Sequence, residues 1–167
     1  MVHLSVRRIV LSGLVMVALL ALARPAAAQM TNEEMASKLV SLMNADGYQY
    51  RTTQSPTVFT IHLAGSHMQD IKVVLAVGGD EDANLIIFVT VAEKRRMPVN
   101  TDFMRTLLEE NHKLDQVKIG YDRDGDLSVR IDASMRLADA PYLRNVVTQV
   151  KTSSDDIYGI VEPSLLP

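Results

Sequence analysis

The sequence of 167 residues contains no cysteine, so the chain can form neither a disulfide nor a thiolate metal site. It also lacks the residue to which a lipid is attached at a lipobox. Small domains in oxidising compartments often depend on disulfides, but a domain of this length can be held together by its hydrophobic core. The missing cysteine therefore predicts a fold that packing alone stabilises.

Recognised catalytic motifs are missing as well. The sequence has no G-x-S-x-G nucleophile elbow, no H-E-x-x-H zinc motif and no glycine-rich phosphate loop. The neighbouring carboxylates of Glu109 and Glu110 would point about 100° apart on a helix, so they could not act on one substrate. We therefore predict that the protein is not an enzyme and requires no cofactor.

Positive charge is scarce. Residues 29–167 hold 14 of the 17 basic residues, because three arginines precede them, and all 20 acidic residues, which gives these residues a formal charge of −6. An acidic domain lacks the basic surface that binds nucleic acid, and anionic lipid does not attract it. We expect no nucleic-acid partner, and contact with a membrane only during export.

The only long apolar run lies near the N-terminus. Two arginines precede residues 9–22, which are almost entirely apolar, and three alanines follow at 26–28. This order is typical of a secretory signal peptide, and a run of about 14 residues is too short to span a membrane. We predict a signal peptide over residues 1–28, cleavage between Ala28 and Gln29, and a periplasmic or secreted protein. The general secretory route and the twin-arginine route both remain open.

The rest of the chain predicts one domain over residues 29–161 and a frayed tail at 162–167. Helix caps and hydrophobic periodicity define its elements. The elements are a helix from Thr31 to Gly47, strands at 48–53, 58–63, 71–77 and 84–91, a helix from Asn100 or Thr101 to His112, strands at 117–121 and 127–131, and a helix from Asp139. The links have hairpin length, so we predict an α+β domain with a mainly antiparallel sheet.

The second helix and the acidic stretches carry two further expectations. The apolar residues expected to face the core from the second helix are Phe103, Met104, Leu107 and Leu108. Residues 80–82 are interpreted as a solvated loop and residues 122–126 as a hairpin turn. A calcium loop of the EF-hand type needs glycine at its sixth position and glutamate at its twelfth, and neither stretch provides this spacing.

Three histidines suggest a ligand site. His62, His67 and His112 could bind zinc or copper if the fold brought them together. Their spacing matches no compact motif, so surface or helix-cap positions are the alternative. Together with the acidic stretches, they define a second hypothesis for function, a periplasmic small-ligand or metal sensor.

Two groups of residues are candidates for contact with a partner. The candidates are Met35, Leu39 and Met43 on the first helix, and the basic cluster Lys94, Arg95 and Arg96. Methionine suits adaptable binding surfaces as well as cores, so the first group could also be core. The basic cluster could contact an acidic partner, or it could be a solvated loop.

Two stretches resemble a known family. Residues 103–112 (FMRTLLEENH) and 117–127 (VKIGYDRDGDL), together with the order of elements, are similar to the YbjN-like family, which is labelled a sensory transduction regulator. The resemblance covers most of residues 31–161 and implies the fold of the type III secretion chaperones. It also implies a non-enzymatic role in binding a protein or peptide, with a homodimer as a possibility because chaperone relatives are dimers. We therefore predict an exported protein-binding module, regulatory or chaperone-like.

The predicted cleavage site can be measured directly. Protein recovered from the periplasm or the medium should begin at Gln29, because signal peptides are cleaved after small residues in an A-x-A arrangement. N-terminal sequencing or intact mass checks this. The Ala28→Lys variant should retain the longer chain, and a cytoplasmic protein that keeps residues 1–28 would contradict the prediction.

Overall fold

The computed structural model describes residues 30–78 and 83–167. The predicted signal peptide with its cleavage site and the acidic residues 80–82 lie outside them. The helices are α1 (Asn32–Ala45), α2 (Thr101–Lys113) and α3 (Ala140–Val161). The strands are β1 (Tyr50–Thr52), β2 (Val58–Leu63), β3 (Ile71–Gly78), β4 (Asn84–Ala92), β5 (Lys118–Tyr121) and β6 (Leu127–Ser134), and 3₁₀ turns follow β4 (Lys94–Arg96) and α3 (Glu162–Ser164).

The six strands form one antiparallel sheet in the order β1-β2-β3-β4-β6-β5. The chain order is helix, four strands, helix, two strands, helix. Both the predicted order and the predicted α+β class are confirmed. Among the helices of the described residues, none combines the length and the apolar character needed to cross a membrane.

One face of the sheet is buried in the core. Successive side chains of a strand point to opposite faces, and in β3 the side chains of Ile71, Val73, Leu75 and Val77 are buried while those between them are more accessible. α1 contacts β3, and α3 contacts β3, β4 and β6. We call the face under these helices the inner face and the opposite one the outer face.

The predicted helix starts are confirmed. Thr31 Oγ1 accepts a hydrogen bond from Glu34 N at 3.2 Å, and Thr31 N donates one to Glu34 Oε2 at 2.8 Å, so the capping box is complete. The side-chain oxygens of Asn100 and Asp139 cap α2 and α3. These caps fix where each helix begins.

The prediction for α2 is wrong for half of its apolar residues. Phe103 and Leu107 are buried, whereas Met104 and Leu108 are 40% and 67% exposed. Adjacent residues point about 100° apart around a helix, and α2 contacts the sheet beside the short strand β5. Met104 and Leu108 therefore form a second apolar face, which is open to solvent.

The tail also differs from the prediction. Residues 162–167, expected to fray, begin with a 3₁₀ turn. Leu166 N then donates a hydrogen bond to the carbonyl of Arg96 at 2.6 Å, and Leu165 packs against the core. A backbone hydrogen bond to a residue so distant in sequence fixes the tail beside the turn that follows β4.

A buried carboxylate of α3 binds the connection between β2 and β3. Asp155 is 4% exposed, and its oxygens accept hydrogen bonds from the backbone N–H groups of Ser66 at 2.6 Å, His67 at 2.9 Å and Met68 at 2.8 Å. Gly65 lies so close that a Cβ there would overlap the carboxylate. This arrangement, which we call the Asp155 clamp, holds the connection against α3.

The clamp determines the protonation of Asp155. Burial by itself would raise the pKa of Asp155, because it penalises the charged form. The N–H donors of Met68, Ser66 and His67 outweigh burial, Lys151 adds to their effect, and the pKa is lowered below its ordinary value. Stabilisation from such a group is present above its unfolded-state pKa of about 3.9 and is lost as the pH falls through the folded-state pKa.

Removing the clamp should destabilise the domain at pH 7. Asp155→Ala should lower the free energy of unfolding by about 3 kcal/mol, because buried N–H donors lose a charged acceptor. Urea unfolding measures this. Asp156→Ala, which removes an exposed carboxylate next to the clamp, should change the stability by less than about 0.5 kcal/mol.

The pH dependence provides a second measurement. Asp155→Asn keeps one carbonyl oxygen and should have an intermediate stability at pH 7. Its difference from the unmodified protein should shrink as the pH falls through the lowered folded-state pKa of Asp155, because both side chains are then neutral. A constant difference between the two proteins from pH 7 to pH 2 would contradict the assigned role of the charge.

Candidate protein-binding surface

The candidates on α1 do not contact a partner in the folded domain. Met35, Leu39 and Met43 are fully buried. They are spaced four residues apart, so they lie along one side of α1, and they belong to the hydrophobic core. The structure therefore corrects the hypothesis of an exposed apolar face on α1 and places these residues in the core, the alternative that the sequence left open.

The basic cluster forms the 3₁₀ turn after β4. Arg95 Nε donates to Glu93 Oε2 at 2.5 Å, and Lys94 N donates to Asp126 Oδ1 at 2.8 Å. Lys94 lines one groove, while Arg95 and Arg96 line another. The cluster thus contributes to the rims of two separate grooves.

The three histidines do not form a metal site. His62 Nδ1 lies 2.9 Å from both carboxylate oxygens of Asp70, the His67 ring packs against Gly159, and His112 belongs to α2. In residues 30–78 and 83–167 there is no group of three or more His, Cys, Asp or Glu side chains that could hold a metal ion. The fold therefore does not bring the histidines together, and the sensor hypothesis has no site among these residues.

An exposed apolar surface lies along α2 and beside it. It consists of Val99, Met104, Leu108 and Tyr121, all exposed, and we call it the α2 surface. Three of these residues, all but Leu108, line a groove of about 630 Å³ together with Met97 and other residues of the segment that leads into α2. Contiguous apolar side chains at the surface of a soluble domain mark sites of interaction.

A hydrogen bond joins the two walls of this groove. Tyr121 Oη donates a hydrogen bond to Met104 Sδ at 3.0 Å. Burial raises the pKa of the Tyr121 phenol above its ordinary value, so the hydroxyl keeps its proton at neutral pH. The Tyr121–Met104 hydrogen bond therefore connects β5 to α2 across the groove.

The acidic hairpin between β5 and β6 supports the same groove. Asp122 Oδ1 accepts hydrogen bonds from Asp124 N at 3.0 Å and Asp126 N at 2.9 Å, and Gly125 has the positive φ of 88° that the turn requires. The side chain of Lys94 lies directly against Gly125. The stretch is therefore a hairpin turn, as predicted, and it forms one end of the groove.

The outer edge of β5 is partly closed by α2. Asn111 Oδ1 accepts a hydrogen bond from Ile119 N at 2.8 Å. In an antiparallel pair the backbone groups of alternate residues point away from the neighbouring strand, so this N–H would otherwise be unpaired at the sheet edge. The asparagine near the end of α2 thus protects an edge that could pair with another chain.

A second groove is polar. It has a volume of about 660 Å³ and lies between the clamped connection, the end of β4 and the end of α3. Its lining includes charged side chains of both signs: Asp70, Glu93, Arg95, Arg96 and Glu162. Mixed charge does not favour an anion or a cation, so the basic residues here do not define an anion site.

Sequence reasoning missed Val99 and Tyr121 as surface residues and Asp155 as a buried one. Tyr121 alternates with Val117, which precedes β5, and with Ile119 within β5. Because core residues of a strand show the same alternation, the sequence does not distinguish Tyr121 from a core residue. Asp155 had a usable signal, because it interrupts the apolar stripe of α3 between Val150 and Ile157. A polar residue within such a stripe indicates a buried partner.

Solved structures share this fold. The ExsC–ExsE complex is 12% identical, with a TM-score of 0.53, over 81% of this chain and 96% of that chain. The type III secretion chaperone SycH of Yersinia pestis, crystallised with a stable fragment of YscM2, is 14% identical, with a TM-score of 0.45, over 70% of this chain and 92% of that chain. At these identities the likeness concerns the fold alone. No curated protein matches the sequence.

The family comparison covers nearly all of the described domain. The YbjN family, described as "Putative bacterial sensory transduction regulator", matches residues 19–161. The match includes every strand and all three helices of the described residues. The resemblance seen in the sequence is confirmed, and the chain belongs to the YbjN family.

Proposed function

We propose that this protein is an exported, non-enzymatic protein-binding module, periplasmic or secreted, with a regulatory or chaperone-like role. Its partner is a protein or peptide. The family description supports a regulatory role. The ExsC chain, which shares the fold, was crystallised in a complex with ExsE, and this supports binding to a protein.

The α2 surface is the observation that carries the proposal. Met104 and Leu108 project from a helix whose other face already packs in the core. Covering one large apolar side chain contributes about 1.5–3 kcal/mol, so two such residues and the neighbouring groove could hold a partner without any reacting group. The unbranched methionine allows the groove to fit apolar segments of different shape.

The charge at the rim indicates what the partner carries beside its apolar segment. Lys94 lies at one end of the groove. Arg105 and Lys113 lie beside Leu108 with Glu109. They are ion-paired with Asp102 and Glu110, so the expectation rests on Lys94. We therefore expect an apolar partner segment with acidic residues next to it. Arg95 and Arg96 follow Lys94 in the same turn, but they line the second groove, and Arg95 is paired with Glu93.

A more specific possibility is that two copies of this protein associate through the α2 surface. A second copy would bury the same four apolar side chains, and an interface of this kind is isologous because both copies use the same patch. Light scattering over a range of protein concentrations distinguishes a homodimer from a monomer that binds another protein. In both outcomes the α2 surface is covered, by a second copy of this protein in the first and by a different protein in the second.

Charge placed on the α2 surface should abolish capture of the partner. Met104→Asp combined with Leu108→Asp removes the apolar contact and buries charge against the partner, so recovery after crosslinking in intact cells should fall about tenfold or more. Leu137→Asp is the matched control, because Leu137 is an 81% exposed leucine outside this surface. The prediction fails if the same proteins co-purify equally with both variants, provided that their thermal unfolding is unchanged.

The basic turn should contribute less. Replacing Lys94, Arg95 and Arg96 together with alanine should weaken capture of the same partner by about threefold to tenfold, since exposed ion pairs contribute about 0.2–1 kcal/mol each. The effect should decrease as salt is added. Equal capture by the triple variant and the unmodified protein at low salt would show that the turn is a solvated loop.

A further inference from the structure

The outer face of the sheet has its own pattern of side chains. The register aligns one residue from each strand into a row across the whole sheet, Arg51–Thr60–Val74–Phe88–Arg130–Lys118. Directly paired residues point to the same face. The row is thus apolar in its middle and basic at both ends.

The apolar middle extends along the strands. Its members, on β2, β3 and β4, are Val58, Val74, Ala76, Ile86 and Phe88. All five are half-buried by their neighbours on the sheet, yet none belongs to the core or packs against it. Helices α1 and α3 cover the inner face, so in the described residues this apolar strip has no covering helix.

Basic residues flank the strip. Arg51 lies beyond β2 on one side, Arg130 and Lys118 lie beyond β4 on the other, and Lys72 precedes Val74 on β3. In residues 30–78 and 83–167, no carboxylate forms an ion pair with Arg51, Lys72 or Lys118.

The acidic residues at this face are already paired. Asp132 Oδ1 lies 2.6 Å from Arg130 Nη2, and both carboxylate oxygens of Asp70 lie 2.9 Å from His62 Nδ1. Both pairs are solvent-exposed, and each joins two residues of this protein. The excess of positive charge on the outer face is therefore left for a partner.

This charge stands out against the rest of the domain. Residues 29–167 contain 14 basic and 20 acidic residues. Without the four basic residues and the two acidic residues of the outer face, Asp70 and Asp132, 10 basic and 18 acidic residues remain. Among the described residues, this acidic domain thus places three basic residues that have no carboxylate partner, Arg51, Lys72 and Lys118, beside one apolar strip.

We propose that the outer face binds an amphipathic helix of a protein partner that carries acidic residues on both sides of its apolar stripe. Neighbouring strands are about 4.8 Å apart, so a strip across three strands is about 10 Å wide, which matches the diameter of one helix. The apolar stripe would cover Val74 and Phe88. Acidic side chains would reach Arg51 on one side and Lys118 on the other.

A protein helix fits these observations better than a membrane surface. To bind a bilayer, the whole protein would have to approach the lipid surface. The protein surface beyond the outer face is strongly acidic, so anionic lipid would repel it. A helix meets only the strip and its basic flanks. The proposal concerns a different surface from the α2 surface and does not depend on what binds there.

Two model peptides test the proposal with the purified protein. Both are helical peptides of about 18 residues with a leucine stripe, one with glutamate and the other with lysine on both sides of the stripe. By fluorescence anisotropy the glutamate peptide should bind at least about tenfold more tightly than the lysine peptide, and added salt should reduce the difference.

Variants locate the binding site. Arg51→Glu with Lys72→Glu should weaken binding of the glutamate peptide by about tenfold, since each exposed pair becomes a repulsion. Phe88→Thr should weaken both peptides. Arg123→Glu with Lys113→Glu makes the same change in net charge away from this face and should weaken binding of the glutamate peptide less than the Arg51/Lys72 variant does. Leu108→Asp should likewise weaken binding less than Phe88→Thr, and this order separates the outer face from the α2 surface.

Several results would overturn the proposal. Equal binding of the two peptides, no binding of the glutamate peptide at about 1 mM, or equal losses in the Arg51/Lys72 and Arg123/Lys113 variants would each do so. Vesicles of phosphatidylglycerol, compared with phosphatidylcholine in a flotation assay, test the membrane. Binding to the former that Arg51→Glu with Lys72→Glu abolishes, without binding of the glutamate peptide, would assign the outer face to lipid.

Discussion

The structure depends on the burial of one face of a six-stranded sheet by two helices. Strand side chains alternate, so packing α1 and α3 on one face buries half of each central strand and, among the described residues, leaves the other half without a covering helix. Cysteine is absent, and this core is the main source of stability. Because α1 and α3 cover only the inner face, the side chains of the outer face must be compatible with water or with a binding partner. The basic residues that flank Val74 and Phe88 answer this requirement.

Local sequence signals predicted the elements because the causes of those elements are local. The capping box of Thr31 and Glu34 uses residues three apart, and the alternation from Ile71 to Val77 is visible within one strand. The same signals could not show which apolar residue of a helix faces the core. Met35 and Met104 are both methionines at helical spacing. One is fully buried and the other exposed, because α1 lies over the sheet whereas α2 lies beside its short last strand.

The candidate site was harder to predict because long-range contacts build it. Asp155 binds backbone groups nearly 90 positions earlier, and Lys94 lies against the glycine of a hairpin about 30 positions later. The Lys94 contact leaves no pattern in a single segment, and the interrupted stripe of α3 indicates that Asp155 has a buried partner without showing which residues bind it. The asparagine near the end of α2 shows the same limit. The sequence indicates only that Asn111 ends a helix, whereas the fold shows that its side chain also closes the edge of β5.

The α2 surface and the outer face differ in the kind of partner that each can hold. The groove beside α2 is concave and lined by flexible side chains, so it suits a short apolar segment that adapts to it. The outer face consists of β-sheet whose side chains the pairing register fixes, so it suits a partner that already has the shape of a helix. Asp122 and Asp126 stabilise the first by ordering a turn, while the strand pairing stabilises the second. Because these supports are separate, a mutation that weakens one surface leaves the other intact, and one domain can present both surfaces without linking their affinities.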